Sequence, residues 1–112
     1  MDRSTMTLRI GCKVEECAIV SQLVGRESDG KKSWWLSAPE SAGADLDGQV
    51  KWILSRVTSD LSVWRELTSK FSVDLFCGLF LERSNRGVGL SADTMRQLAE
   101  RGIQIGFDIY AP

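Results

Sequence analysis

Histidine does not occur in the 112 residues of this chain. Its absence removes the commonest general base, the usual partner of a nucleophilic Ser or Cys, and the commonest metal ligand. Cysteine is sparse: Cys12, Cys17 and Cys77 form no CxxC pair. With no histidine beside them, a zinc site is not expected. An odd number of unpaired thiols points to reduced cysteines, and Met1-Asp2-Arg3-Ser4 leads into no apolar h-region. A cytoplasmic location is the expectation. No apolar run approaches the roughly 20 residues needed to span a bilayer. Neither sign of charge dominates, since 14 basic and 15 acidic residues give a formal charge of -1. The isoelectric point near 5.4 leaves no positive surplus for a phosphate backbone. Arg26, Lys31 and Lys32 lie close together, but in a Gly/Ser/Asp stretch that reads as a solvated loop. No GxGxxG or GxxxxGK[ST] pattern occurs, and Gly87-Val88-Gly89 alone is weak support for phosphate binding. Cofactor, metal, nucleic acid and membrane are therefore not expected as partners, and no catalytic residue stands out.

What the chain does have is apolar patterning. Apolar residues make up 43% of it, enough for one core, and the length suits one α+β domain over 1–112. Met6 to Cys12 alternate with period two, which predicts a strand. Glu15 to Val24, closed by Gly25, predicts a short helix. Ser33 to Ala38, rich in aromatics, predicts a second strand. From Leu46 to Phe71 the apolar residues step by three and four, a helical stripe. Thr58-Ser59-Asp60 interrupts that stripe with a cap, so two helices are expected there rather than one rod. Within it, Trp52 and Trp64 read as packing residues. Ser72 to Leu81 alternates most strongly of all. A polar turn follows over 82–89. Ser91 then caps a helix that runs to Gly102, and Ile103 to Tyr110 alternates again as the last strand. Amphipathic helices and half-buried strands in this order predict a mostly antiparallel sheet of about four strands. Helices would pack on one face of it, as a variant of the ferredoxin-like arrangement.

Several short strings carry a resemblance. They are Trp35-Leu36-Ser37, Asp74-Leu75 in a strand, Gly89-Leu90-Ser91 entering a helix, and Gly102-Ile103-Gln104-Ile105-Gly106-Phe107-Asp108-Ile109-Tyr110. Together they resemble a bacterial family known as domain of unknown function 4279, over roughly Leu8 to Tyr110. The resemblance implies a small α+β domain and supplies no activity, cofactor or catalytic residue. The Gly25 to Lys32 connection is shorter than the proline-containing one that members often carry.

The strand alternation sorts residues onto two faces. Leu8, Ile10, Trp34, Leu36, Leu75, Cys77, Leu79, Ile105, Phe107 and Ile109 should lie under the helices. Arg9, Gly11, Trp35, Ser37, Phe76, Gly78, Phe80, Gly106, Asp108 and Tyr110 should lie on the open side. A solvated sheet face usually reads Thr, Lys, Glu and Arg, whereas this one is aromatic and glycine-rich. Glycines in strands often mark close approach, and an open aromatic patch usually means a partner. The candidate binding residues are therefore Arg9, Trp35, Phe76, Phe80, Asp108 and Tyr110, the aromatics supplying area and Asp108 or Arg9 supplying orientation. Self-association as a homodimer, a different protein partner, and coverage by the N-terminal tail or the 39–48 loop all fit such a face. Single-stranded RNA readers also stack bases on a sheet, but their basic aromatic consensus is missing from Asp74 to Leu81. Asp74 and Asp108 share the predicted face, where two close acids could share a proton or hold a divalent ion. An ion pair with Arg9 is the plainer expectation. The reading that results is a non-catalytic interaction domain binding a protein partner, of the inhibitor or immunity type by analogy with other small acidic domains. The alternative is a small-ligand or enzymatic site around Asp108, Tyr110 and Arg9.

Overall fold

The computed structural model describes residues 3–83 and 87–112. Strand β1 (Arg3–Gly11) leads through a 3₁₀ turn into helix α1 (Cys17–Val24), and β2 (Trp34–Ser37) follows. Helices α2 (Leu46–Ser55) and α3 (Leu61–Lys70) precede β3 (Ser72–Phe80), and α4 (Ala92–Arg101) leads into β4 (Gln104–Tyr110). Of the polar turn expected over 82–89, residues 84–86 lie outside the described residues.

Local chemistry sets the boundaries. Gly25 and Gly102 close α1 and α4 at φ 77° and 70°, the left-handed cap conformation that glycine adopts without a Cβ clash. The long apolar stripe does break at Asp60, whose side chain accepts the Ser62 N–H and starts α3. Asp45 does the same for α2 through Gly48, and Ser91 for α4 through Thr94. The indole of Trp64 is fully buried, and its Nε1 donates to the Thr58 carbonyl at 2.9 Å. Trp34 is equally buried and donates to the Arg26 carbonyl at 3.1 Å.

The sheet order is β2-β1-β3-β4. β1 is antiparallel to both β2 and β3, and β4 is parallel to β3 through the α4 crossover. The α+β class and the antiparallel majority are as the sequence suggests. The ferredoxin-like detail differs: β3 and β4 are hydrogen-bonded neighbours, so this parallel pair is not split by an intervening strand. Helix α1 packs over β2, α2 over β1 and α3 over β3, while α4 lies against α2 and α3. The core between the layers is built from Met6, Leu8, Ile10, Trp34, Leu36, Val73, Leu75, Cys77 and Leu79 on the sheet side. Val20, Val24, Val50, Ile53, Trp64, Leu67 and Leu98 meet them from the helices.

One part of the face assignment needs correction. Phe107 and Ile109 point to the helix side of the sheet as expected, yet they are 46% and 58% exposed. The cause is that β4 is an edge strand and α4 leans onto the other helices instead of roofing it. Each of these side chains forgoes part of the about 1.5–3 kcal/mol that full burial contributes. Among the described residues no helix is long and apolar enough to cross a membrane.

Candidate functional site

The open face is a grid fixed by the strand register. One row runs Arg9, Asp74, Gln104 and, on the far side, Trp35; the next holds Ser37, Thr7, Phe76 and Gly106. Then come Thr5, Gly78 and Asp108, and finally Arg3, Phe80 and Tyr110. All six candidate residues do share this face. The register also separates them into two groups.

At one end a stack crosses three strands. The Arg3 guanidinium lies 4.5 Å from the Phe80 ring centroid, and Phe80 stacks on Tyr110 with centroids 4.8 Å apart and planes 4° from parallel. The phenol of Tyr110 donates to Asp108 Oδ2 at 2.6 Å, and the carboxylate pushes the tyrosine pKa above its usual value. Gly78 makes room for this arrangement. A Cβ there would stand 2.8 Å from Thr5 Oγ1 and 3.3 Å from the Phe80 ring, so a side chain at this position would press on both. The strand expected from Met6 begins three residues earlier, which adds Arg3 to the face. The signal is the same alternation, which runs backwards from Arg9 through Thr7 and Thr5 to Arg3.

At the other end Arg9 grips Asp74 in a bidentate pair, Nε to Oδ1 at 2.9 Å and Nη2 to Oδ2 at 2.6 Å. The same guanidinium lies 4.7 Å from the Phe76 ring centroid. The hydrogen bond to Asp74 raises the Arg9 pKa further, so the cation is permanent. The pair is half exposed and contributes only about 0–1 kcal/mol to stability. It holds the guanidinium over the aromatic ring.

Two groupings that a shared face allows do not form, whereas the plainer Arg9–Asp74 ion pair does. Asp108 stands four positions along from Gln104, the partner of Asp74, so the two acids lie ~13 Å apart along the strands and cannot share a proton or an ion. Arg9 and Tyr110 are six register positions apart, ~20 Å, so Asp108, Tyr110 and Arg9 do not make one pocket. Among the described residues, no cluster of three or more Cys, Asp or Glu side chains is placed to hold a metal ion. A cleft of about 280 Å³ does open beside Arg9, Trp35 and Asp74.

Trp35 is half covered by residues 28–30, a segment whose composition predicts a solvated turn. Asp29 N–H donates to the Trp35 carbonyl at 2.8 Å, Trp35 N–H to Ser28 Oγ at 3.0 Å, and Ser37 N–H to Asp29 Oδ2 at 3.1 Å. Gly30 approaches the indole so closely that a Cβ there would stand 2.7 Å from Trp35 Cδ1. The 39–48 segment instead works on the helix side, where the Ala44 carbonyl accepts from Ser4 and the Gly43 carbonyl from Gln49.

Fold and face together define a small α+β domain with helices on one side of its sheet and, on the other, an arginine-flanked aromatic surface covered at Trp35 by residues 28–30. The family described as Domain of unknown function (DUF4279) matches residues 2–112, and the chain belongs to it. No curated protein and no solved structure matches the chain.

Proposed function

We propose that this domain is a non-catalytic binding module that presents its open sheet face to a protein partner. The observation that supports the reading most is the cross-strand stack of Arg3, Phe80 and Tyr110, continued by Arg9 on Phe76. Flat aromatics overlaid by guanidinium groups are the residue types that dominate protein interfaces, because they bury much area at little entropic cost. The layout also favours a broad partner over a small one. Arg9 is ~20 Å from Tyr110, too far for both to grip one small molecule, but within the span of a standard interface. Each end carries one arginine and one carboxylate, Arg9 with Asp74 and Arg3 near Asp108, and these polar groups would fix the partner's orientation. The partner is a toxin or enzyme that the domain holds inactive, in the manner of an inhibitor or immunity protein in a bacterial cytoplasm.

The test is capture from the native host with wild-type protein and with Phe76→Ser/Phe80→Ser. One protein retained at fixed stoichiometry by the wild type and lost by the variant is the expected result, with the captured activity suppressed in the complex. Equal capture by both proteins, with circular dichroism confirming that the variant is folded, would refute the reading.

A further inference from the structure

The two edges of the sheet are treated differently. The β2 edge is closed by its own chain, through Ser28 and Asp29 bonding to both main-chain groups of Trp35. The β4 edge has no such cover: among the described residues β4 pairs with β3 alone. It is also thinly guarded. Gln104 to Tyr110 contains no lysine, no proline and one charge, Asp108.

The direction of its free main-chain groups can be read from one bond. The Tyr110 carbonyl accepts the Leu81 N–H at 2.8 Å, so Tyr110 turns its main-chain polar groups towards β3. Successive residues of a strand alternate sides. Gln104, Gly106 and Asp108 therefore also face β3, while Ile105, Phe107 and Ile109 offer N–H and C=O outward. Those three are the residues whose side chains sit on the poorly roofed helix side, with Phe107 and Ile109 46% and 58% exposed.

We infer that β4 pairs antiparallel with β4 of a second copy of this chain, about a two-fold axis through Phe107. The segment reads the same in both directions at its apolar positions, Ile105, Phe107 and Ile109. Centred on Phe107, each Ile105 meets an Ile109 and the two Phe107 meet each other. These are the outward-facing residues, so all of them fall in the mutually hydrogen-bonded class of antiparallel pairs. The charges agree with the same register. Each Asp108 falls opposite Gly106, whose open side has nothing within 4 Å of a Cβ position, so no carboxylate opposes another. The axis stands perpendicular to the sheet. It joins two four-stranded sheets into one and brings both aromatic faces onto the same side. This assembly goes beyond the open-face reading and does not depend on it.

Sedimentation equilibrium of the full chain over a range of concentrations tests the pairing. The wild type is expected at twice the chain mass and Phe107→Lys, which sets two ammonium groups across the axis, at once. Phe107 is surface-accessible, so the variant keeps its fold, as circular dichroism checks. A second variant reads the register. In a Cys12→Ser/Cys17→Ser background, Phe107→Cys places two thiols across an axis where paired Cα atoms lie ~5.5 Å apart, within disulfide range. Added diamide takes up the two thiol hydrogens, becoming the hydrazine, and a disulfide-linked dimer forms. Ile109→Cys in the same background lies ~13 Å from its twin and stays unlinked. A monomeric wild type at all concentrations, a dimer undisturbed by Phe107→Lys, or equal linking at 107 and 109 would each overturn the inference. Loss of the dimer leaves the Phe76 and Phe80 capture experiment untouched, so the two proposals fail separately.

Discussion

Replacing Gly30 by alanine tests whether the 28–30 segment is truly clamped onto the sheet. A Cβ at this position would stand 2.7 Å from Trp35 Cδ1 and 2.8 Å from Cε2, with Nε1 nearer still. Carbon atoms at rest keep ~3.5–4.0 Å, so the segment or the indole must retreat by about 1 Å or more. A retreat of the segment stretches the Asp29-to-Trp35 and Trp35-to-Ser28 hydrogen bonds beyond useful length. Both are near solvent, so each costs about 0.5–1.5 kcal/mol net. Reduced freedom of the unfolded chain returns about 0.4–1 kcal/mol. The balance is a loss of about 1–2 kcal/mol, or about 4–8 °C in Tm for a domain of this size. The assay is a double-mutant cycle by thermal or urea unfolding. In a Trp35→Ala background the obstruction is gone, so Gly30→Ala should become neutral or mildly stabilising. A coupling of about 1 kcal/mol or more is expected, as for residues in direct contact. Gly30→Ala that leaves Tm unchanged in the wild type, or lowers it equally in both backgrounds, would refute the clamp.

Tyr110 is the one tyrosine in the chain, so its ionisation can be followed alone by ultraviolet absorbance. The Asp108 carboxylate raises its pKa, so the midpoint should lie above the usual value of about 10 and fall back in Asp108→Asn. A raised folded pKa means that this contact stabilises below pH ~10 and is lost as pH climbs through the shifted midpoint. Asp47 behaves oppositely: accepting the Ser91 N–H depresses its pKa and ties the start of α2 to the start of α4. Its contribution is present above the unfolded carboxylate value of about 4 and disappears as pH falls through the lower folded value. Asp47→Asn should therefore lose less stability than the wild type between neutral and strongly acid pH, measured by urea unfolding; parallel pH curves would contradict this. The Cys12 and Cys17 sulfurs lie 3.6 Å apart while Cys77 is buried. Diamide should join the first pair within one chain, lowering its mass by two hydrogen atoms and leaving one titratable thiol. Unchanged mass, or loss of all three thiols, would speak against that geometry.

Much of this fold was legible because its local signals agree with one another. The cap at Asp60 splits the apolar stripe where the chain does turn, and Ser91 and Gly102 bound α4 as their chemistry requires. The two faces of β1 and β3 follow from alternation alone. Alternation could not say how far the helices reach. Ile105, Phe107 and Ile109 carry the same pattern as Leu75, Cys77 and Leu79, but their burial depends on where α4 leans, a tertiary matter. The face was likewise found while its distances were not. Period two says that Arg9, Asp74, Asp108 and Tyr110 look the same way. Only the register puts Asp74 beside Arg9 and leaves Asp108 to Tyr110. The grip of residues 28–30 on β2 is made by a main-chain N–H, a serine hydroxyl and the Asp29 carboxylate, polar groups that composition alone assigns to a solvent-facing loop.

The two buried indoles set a rule for chain length. Trp34 and Trp64 each reach out of the core to a loop carbonyl, at Arg26 and at Thr58. A loop tethered this way cannot grow or shrink at the tether without stranding an N–H in an apolar interior. Between α1 and β2 the tether at Arg26 and the clip at Ser28 and Asp29 leave Lys31 and Lys32 as the stretch where added residues would be absorbed. Between α2 and α3 the Thr58 tether sits two residues before the Asp60 cap, which leaves almost no slack there at all.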